Sequence, residues 1–253
     1  MCSAFWPFNG AEGLLRVLQD LLPTDVSTFG GDIDHVFWLI FWIVGIWFVA
    51  AEGVLLYSII RHRKRAGAHA MYLPGNTPRQ LAWVLIPALV VLCLDLGIDR
   101  AGASAWEREK GTPPAGDVVV RITAKQFNWN FTYPGPDGKF GTADDVTTEN
   151  DLRVPVGKVV RFELQSEDVI HSFFVPDMRL KQDVVPGRTI RGWFEATKTG
   201  TYEIACSELC GFGHYSMHGN VIVQTPAEFA GWQRETWPSR TAANDAVKGT
   251  ETR

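Results

Sequence analysis

Two hydrophobic patterns divide the chain. From His35 to Ile60 apolar side chains run almost unbroken, VFWLIFWIVGIWFVA and then EGVLLYSII, and a second apolar run covers Leu81 to Ile98. A helix needs about 20 such residues to cross a hydrocarbon core, so these runs predict a transmembrane helix and its return. Arg61-His62-Arg63-Lys64-Arg65 lies between them. A basic cluster beside a span stays in the cytoplasm, which places both ends of the hairpin, and everything beyond residue 100, on the outer side. Pro87 falls inside the second run, where a proline bends a helix. After a polar linker rich in Gly and Pro the period changes to two. Strands are predicted near 117–126, 127–133, 152–156, 158–165, 171–175, 189–195, 200–205 and 219–223. Many short strands punctuated by Gly and Pro predict an antiparallel sandwich or barrel. Gly13 to Leu22 reads as a short amphipathic helix stopped by Pro23, and Pro226 to Thr236 as another, with Phe229 and Trp232 on its apolar side. The predicted organisation is an outer N-terminal segment (1–34), a helical hairpin with a basic cytoplasmic loop (35–100), a linker (101–116), a β domain (117–237) and a flexible tail (238–253).

Composition adds to this picture in two places. The 253 residues carry a formal net charge of −4, which argues against a nucleic-acid partner and leaves room for a basic protein partner. A hydrophobic share of 46% with ten tryptophans is high for a soluble protein and agrees with a membrane anchor. Residues 1–34 lack the basic stretch, apolar core and small-residue cleavage site of a signal peptide, and no Arg-rich transit-like start is present. These features favour a bacterial inner membrane over a mitochondrion.

The chemistry concentrates in Cys206-Ser207-Glu208-Leu209-Cys210-Gly211-Phe212-Gly213-His214-Tyr215-Ser216-Met217. Two thiols, an imidazole and a thioether within twelve residues converge on one centre only if the chain forms a compact loop, which Gly211 and Gly213 permit. Soft thiolate and thioether donors select copper, and Cys-His with a distant Met is the donor set of copper electron-transfer sites. A single-copper site needs one Cys; two could bridge a pair of ions, each capped by a His. His171, in Asp168-Val169-Ile170-His171-Ser172-Phe173-Phe174-Val175-Pro176, is the candidate for the second cap. A disulfide between Cys206 and Cys210 would leave His and Met without a role, and zinc has no use for Met217. Cys2 and Cys93 read as bystanders, since small buried thiols pack as hydrophobes.

With these residues the chain resembles subunit II of the haem-copper cytochrome c oxidases, whose binuclear copper A centre is written as an upstream His followed by C-S-E-L-C-G-x-x-H-x-x-M. The resemblance implies a cupredoxin-like Greek-key fold, with Cys206 and Cys210 bridging two coppers, His171 and His214 each binding one, Met217 as a weak axial ligand, and Glu208 giving a backbone carbonyl. In the family that Glu's carboxylate also binds magnesium at the interface with subunit I. Implied too is a role as electron-transfer subunit: single electrons arrive from a c-type cytochrome and pass to haem in subunit I, which reduces oxygen while protons are pumped, with a third subunit alongside. Asp168 and Asp183 match acids that the family presents to its donor, where carboxylates would steer a basic cytochrome c.

The sequence departs from the family at three places. Its usual Q-W-Y-W becomes Gln126-Phe127-Asn128-Trp129, so Phe127 stands where electrons enter, without an indole N–H, and only the second Trp, Trp129, is kept, which with Phe131 reads also as plain core packing. The second helix of relatives opens on a Glu tied to proton uptake, and Gln80 holds that place before Trp83-Val84-Leu85-Ile86-Pro87. Glu52, nine residues before Arg61 and thus about 13 Å into the first helix at 1.5 Å per residue, is a substitute for proton uptake, because an ionisable group at that depth is by default functional; its alternative is a carboxyl bonded to a neighbouring subunit. The insertion 135–145 has the closely spaced acids that calcium favours but not the EF-hand spacing, and reads rather as a solvated hairpin loop. No C-x-x-C-H occurs, so no fused haem domain is expected. A copper-free quinol-oxidase subunit would lack the cysteine pair, a copper-delivery protein would not close its ligand set, and nitrous oxide reductase needs a further catalytic domain and no hairpin.

Overall fold

The computed structural model describes residues 21–65, 67, 69 and 72–237. The chain forms two compact units, one of residues 31–111 and one joining the segment up to Gly30 with the chain from Thr112 onward. The amphipathic helix read at 13–22 and the tail at 238–253 fall outside the described residues, save for 21 and 22.

Both hydrophobic runs are helices, and both are longer than their apolar cores. Helix α1 spans Gly30–Arg61 and α2 spans Pro78–Lys110, and each is long and apolar enough to cross a membrane. Thr77 caps α2, its hydroxyl accepting from the Gln80 N–H while the Gln80 side chain accepts from the Thr77 N–H. Gln80 therefore serves as the third residue of a capping box, a place that Glu or Gln fills equally well. Pro87 lies inside α2. The linker expected at 101–116 is corrected at its first half, because α2 continues through Ala-Gly-Ala-Ser-Ala-Trp-Glu-Arg-Glu-Lys. These are mostly strong helix formers, and one Gly costs only about 1 kcal/mol. Gly111 ends the helix, its N–H bonded to the Glu107 carbonyl. Arg108 near this end pairs with Asp32 in the first turn of α1.

Among the described residues ten strands make two five-stranded sheets. In chain order they are β1 (Val118–Lys125), β2 (Asn128–Tyr133), β3 (Val146–Glu149), β4 (Asp151–Pro155), β5 (Val159–Ser166), β6 (His171–Val175), β7 (Leu180–Val184), β8 (Ile190–Glu195), β9 (Gly200–Cys206) and β10 (His218–Gln224). The first sheet runs β3-β2-β1-β5-β8 and the second β4-β10-β9-β6-β7. Strand alternation places Val120, Ile122 and Ala124 of β1, Trp129, Phe131 and Tyr133 of β2, and Val160, Phe162 and Leu164 of β5 in the core. Rings from the two sheets meet there: Trp129 and Phe162 approach Phe173 of β6 at 5.4 and 6.1 Å. Full burial of each large apolar side chain contributes about 1.5–3 kcal/mol, so this layer is what holds the sandwich together.

The sheets are not purely antiparallel. β1 pairs β5 in parallel and β10 pairs β4 in parallel, because the chain crosses to the other sheet between these partners, and parallel neighbours require such long crossovers. β3 and β7 are strands that the sequence reading did not single out; one is short and polar, the other carries Lys-Gln-Asp at its centre. Helix α3 covers Pro226–Thr236, with a capping box at Thr225 and Glu228 and with Phe229 buried.

The segment before α1 is part of the β unit. Val26 donates to the Asp177 carbonyl, Thr197 donates to that of Val26, and Ser27 bridges Ala196. Val26 and Phe29 are each only 1% exposed, and Phe29 sits edge-on to Trp193 at 5.6 Å. The boundary expected at residue 34 therefore lies at Gly30. Residues 135–145 form the loop between β2 and β3. Two of its carboxylates serve the loop itself, Asp137 accepting from the Lys139 N–H and Asp145 from that of Gly141.

Candidate metal centre

Three elements deliver the ligands. β6 begins at His171, β9 ends at Cys206, and β10 begins immediately after Met217. Phe173 pairs with Cys206 across the β6–β9 ladder, the Cys206 N–H donates to the Met217 carbonyl, and the Ser207 N–H donates to that of Ser172. The loop between β9 and β10 is thus stitched to both neighbouring strands at its two ends. Within it Gly211 takes φ +132, a conformation glycine adopts without penalty, and a short 3-10 turn, His214–Ser216, returns the chain toward β10.

The donor atoms form a sequence. His171 Nδ1 lies 3.9 Å from Cys206 Sγ, Cys206 Sγ lies 3.8 Å from Cys210 Sγ, and Cys210 Sγ lies 3.6 Å from His214 Nδ1. Met217 Sδ is 3.8 Å from Cys210 Sγ, and the Glu208 carbonyl oxygen is 3.3 Å from Cys206 Sγ. Nitrogen and sulfur donors bound at about 2.0–2.3 Å with tetrahedral angles stand about 3.3–3.8 Å apart, close to the 3.6–3.9 Å seen. At 3.8 Å the two sulfurs are far outside the S–S bond length of about 2.05 Å. Both are free thiols, and the disulfide alternative fails. His171, Cys206, Cys210 and Met217 are buried, whereas the Glu208 side chain is exposed.

Charge is arranged to favour ligation. The Asp168 carboxylate lies 2.8 Å from His171 Nε2 and also accepts the N–H groups of Gln126 and Val169 at 2.7 and 2.6 Å. Burial alone would raise the Asp168 pKa, but the bonds to His171 and to these backbone N–H groups hold it below the usual range. Burial would lower the His171 pKa; contacts with Cys206 and Asp168 outweigh it and raise it. Burial also disfavours the Cys206 thiolate, yet His171 and nearby backbone groups bring its pKa down. Cys210 is pushed up by burial and by the charge of Cys206. A metal binds the thiolate form, so ligation here would release the thiol protons.

Of the other expected residues, some lie beside this centre and some do not. Trp129 is fully buried, its ring 6.1 Å from that of His171. Phe127 is 36% exposed and its ring lies over the glycines of the ligand loop: a Cβ on Gly213 would stand 2.5 Å from it. Asp183 accepts from the Ser172 hydroxyl at 2.8 Å. Cys93 is exposed on α2 and Glu52 is exposed on α1, both in the helical unit. The sequence reading missed Asp168 as the orienting partner of His171, although an acid three residues before a ligating His is a usable signal. It also missed Gln126, whose side chain donates to the Cys210 carbonyl at 2.6 Å, and His218, whose ring nitrogens meet Glu203 at 2.6 Å and the Tyr215 carbonyl at 2.8 Å. Neither has a sequence signal.

A β sandwich that presents two thiols between two imidazoles, with a thioether beside them, is a soft-metal domain of the electron-transfer kind. Comparison with known proteins agrees. The family profile described as "Cytochrome C oxidase subunit II, periplasmic domain" matches residues 118–225. The chain is 33% identical to "Alternative cytochrome c oxidase subunit 2" of Bradyrhizobium diazoefficiens over 89% of its own length and 88% of that protein. It is 34% identical to "Cytochrome c oxidase subunit 2" of Thermostichus vulcanus, covering 88% of this chain and 80% of that one. Among solved structures, the periplasmic domain of subunit II of cytochrome oxidase of Bradyrhizobium japonicum matches with a TM-score of 0.44 and 35% identity, covering 49% of this chain and 96% of that one. The chain belongs to the cytochrome c oxidase subunit 2 family. It is accordingly an electron-transfer subunit of a haem-copper oxidase, an oxidoreductase complex, and a membrane protein with an external β domain.

Proposed function

We propose that this subunit takes single electrons from a c-type cytochrome at a binuclear copper centre and hands them to haem in subunit I, where oxygen is reduced and protons are pumped. The observation that carries this reading is the order of donors, His171–Cys206–Cys210–His214, with gaps of 3.9, 3.8 and 3.6 Å. Two thiolates in the middle and one imidazole at each end suit two ions sharing both sulfurs. Such a copper pair, when bound, supplies a one-electron redox centre. Met217 and the Glu208 carbonyl complete the two ends, and strands β6, β9 and β10 hold all six groups with little freedom to move.

Electrons enter at Phe127, the exposed ring lying on the ligand loop, with Trp129 behind it against His171. Asp168 and Asp183 face the donor while bracing β6 from within. The exposed Glu208 carboxylate is free to bind magnesium at the contact with subunit I. Glu52 takes the proton-uptake role that Gln80 cannot fill. The basic cluster at 61–65 sets the orientation, with the copper domain on the periplasmic side of a bacterial inner membrane, and a third subunit completes the complex.

Copper analysis and electron paramagnetic resonance on the purified full-length chain test the reading. Two coppers per chain sharing one unpaired electron are expected. One copper, zinc alone or no metal would overturn it.

A further inference from the structure

Gln126 touches both halves of the ligand set without being a ligand. Its backbone N–H donates to Asp168 Oδ2 at 2.7 Å, and the other oxygen of that carboxylate lies 2.8 Å from His171 Nε2. Its side-chain amide donates to the Cys210 carbonyl at 2.6 Å. The two contacts reach different loops, one leading from β5 into β6 and the other joining β9 to β10, which β6–β9 pairing and the Ser207–Ser172 bond also link. The ligand loop fits closely against this residue: a Cβ on Gly211 would stand 2.7 Å from the Gln126 side-chain nitrogen. The next residue, Phe127, lays its ring on Gly213.

From this geometry we infer that Gln126 is a positioning residue for the copper centre, a brace that fixes the spacing between the His171 side and the Cys210 side and seats Phe127 on the ligand loop. The inference rests on the copper reading given above. Its chemical content is specific: the side chain must donate a hydrogen bond to the Cys210 carbonyl. Truncation or bulk alone would not reproduce that. When Cys210 binds as a thiolate its backbone is under the pull of the metal, and a donor on its carbonyl restrains the loop from rotating. Partners of this indirect kind are worth roughly 10–100-fold in metal affinity.

Two substitutions separate donation from bulk. Gln126→Ala removes the arm and keeps the backbone N–H; Gln126→Glu keeps the size and, as a carboxylate, has no proton to give. The full-length chain, loaded with copper, is measured for copper loss to a competing chelator, for the hyperfine pattern of the shared electron and for its midpoint potential. Both variants are expected to lose copper about tenfold or more faster than the wild type, with a changed hyperfine pattern, and Glu at least as severely as Ala. The inference is overturned if Gln126→Ala matches the wild type in retention and spectrum, or if Gln126→Glu matches it while Gln126→Ala does not, since bulk would then be the whole effect. A wild-type chain that fails to hold two coppers sharing an electron overturns the copper reading itself, a result seen before any variant is made.

Discussion

Asp168→Asn changes one atom and tests how the metal centre is prepared. The carboxylate accepts from three N–H groups: His171 Nε2 at 2.8 Å, Gln126 N at 2.7 Å and Val169 N at 2.6 Å. With Nε2–H pointing at Asp168, the lone pair of His171 sits on Nδ1, the atom 3.9 Å from Cys206 Sγ. The orienting acid thereby selects the tautomer that can bind a metal. An asparagine in the same place offers one oxygen. With its oxygen toward His171 Nε2 and Val169 N its NH₂ confronts the Gln126 N–H, and turned the other way it confronts both of theirs, so at least one charge-assisted bond is lost and replaced by a donor facing a donor. Hydrogen bonds to charged groups contribute about 1.5–3 kcal/mol, which at about 1.4 kcal/mol per tenfold is roughly 10–100-fold in affinity. The loss falls on the corner where Asp168, His171 and Gln126 meet. Titration of the metal-free chain with copper against a competing chelator, followed by electron paramagnetic resonance, would show weakened binding and an electron no longer shared evenly. Affinity within twofold of the wild type, with an unchanged spectrum, would refute the argument that the Asp168 carboxylate charge prepares the metal centre. Asp183→Asn serves as control: its carboxylate holds the Ser172 hydroxyl, reaches His171 only through the backbone, and should cost less.

Three further outcomes follow from the same geometry. Phe29→Ala removes a ring that is 1% exposed beside Trp193, and should destabilise the β unit by about 3–5 kcal/mol in thermal or denaturant unfolding; an unchanged midpoint would mean that the segment before α1 is not part of that unit. Phe127→Ala should leave copper content intact while slowing electron uptake from a c-type cytochrome about tenfold, the effect of losing about 1.4 kcal/mol of apolar contact, and equal rates would remove Phe127 from the electron path. Glu52→Gln should slow proton-coupled turnover of the assembled oxidase with copper content unaffected; unchanged turnover would assign Glu52 to packing against a neighbouring subunit.

The sequence made some features legible for simple physical reasons. A run of apolar residues as long as a bilayer is thick has few other uses, so α1 and α2 were readable, although the Ala- and Glu-rich extension of α2 was obscured by its glycine. Alternation at period two marked eight of the ten strands. It missed β3 and β7 because their outward residues are polar and their inward ones few. The ligand loop was readable because thiol, imidazole and thioether within twelve residues have no common structural use, and His171 because a matching family pattern points to it.

What the tertiary structure decided is how distant segments meet. Local alternation says which face a side chain takes but not which strand lies beside it, so the parallel pairs β1–β5 and β4–β10 could not be read from period. The same holds for the bonds around the metal centre. Asp183 carries no mark that separates a steering acid from a brace, and Gln126 lies 84 positions from the Cys210 carbonyl it holds. Donor types are a property of composition and are written along the chain. Donor spacing, tautomer and bracing are properties of packing, and they exist only once two sheets have brought the loops together.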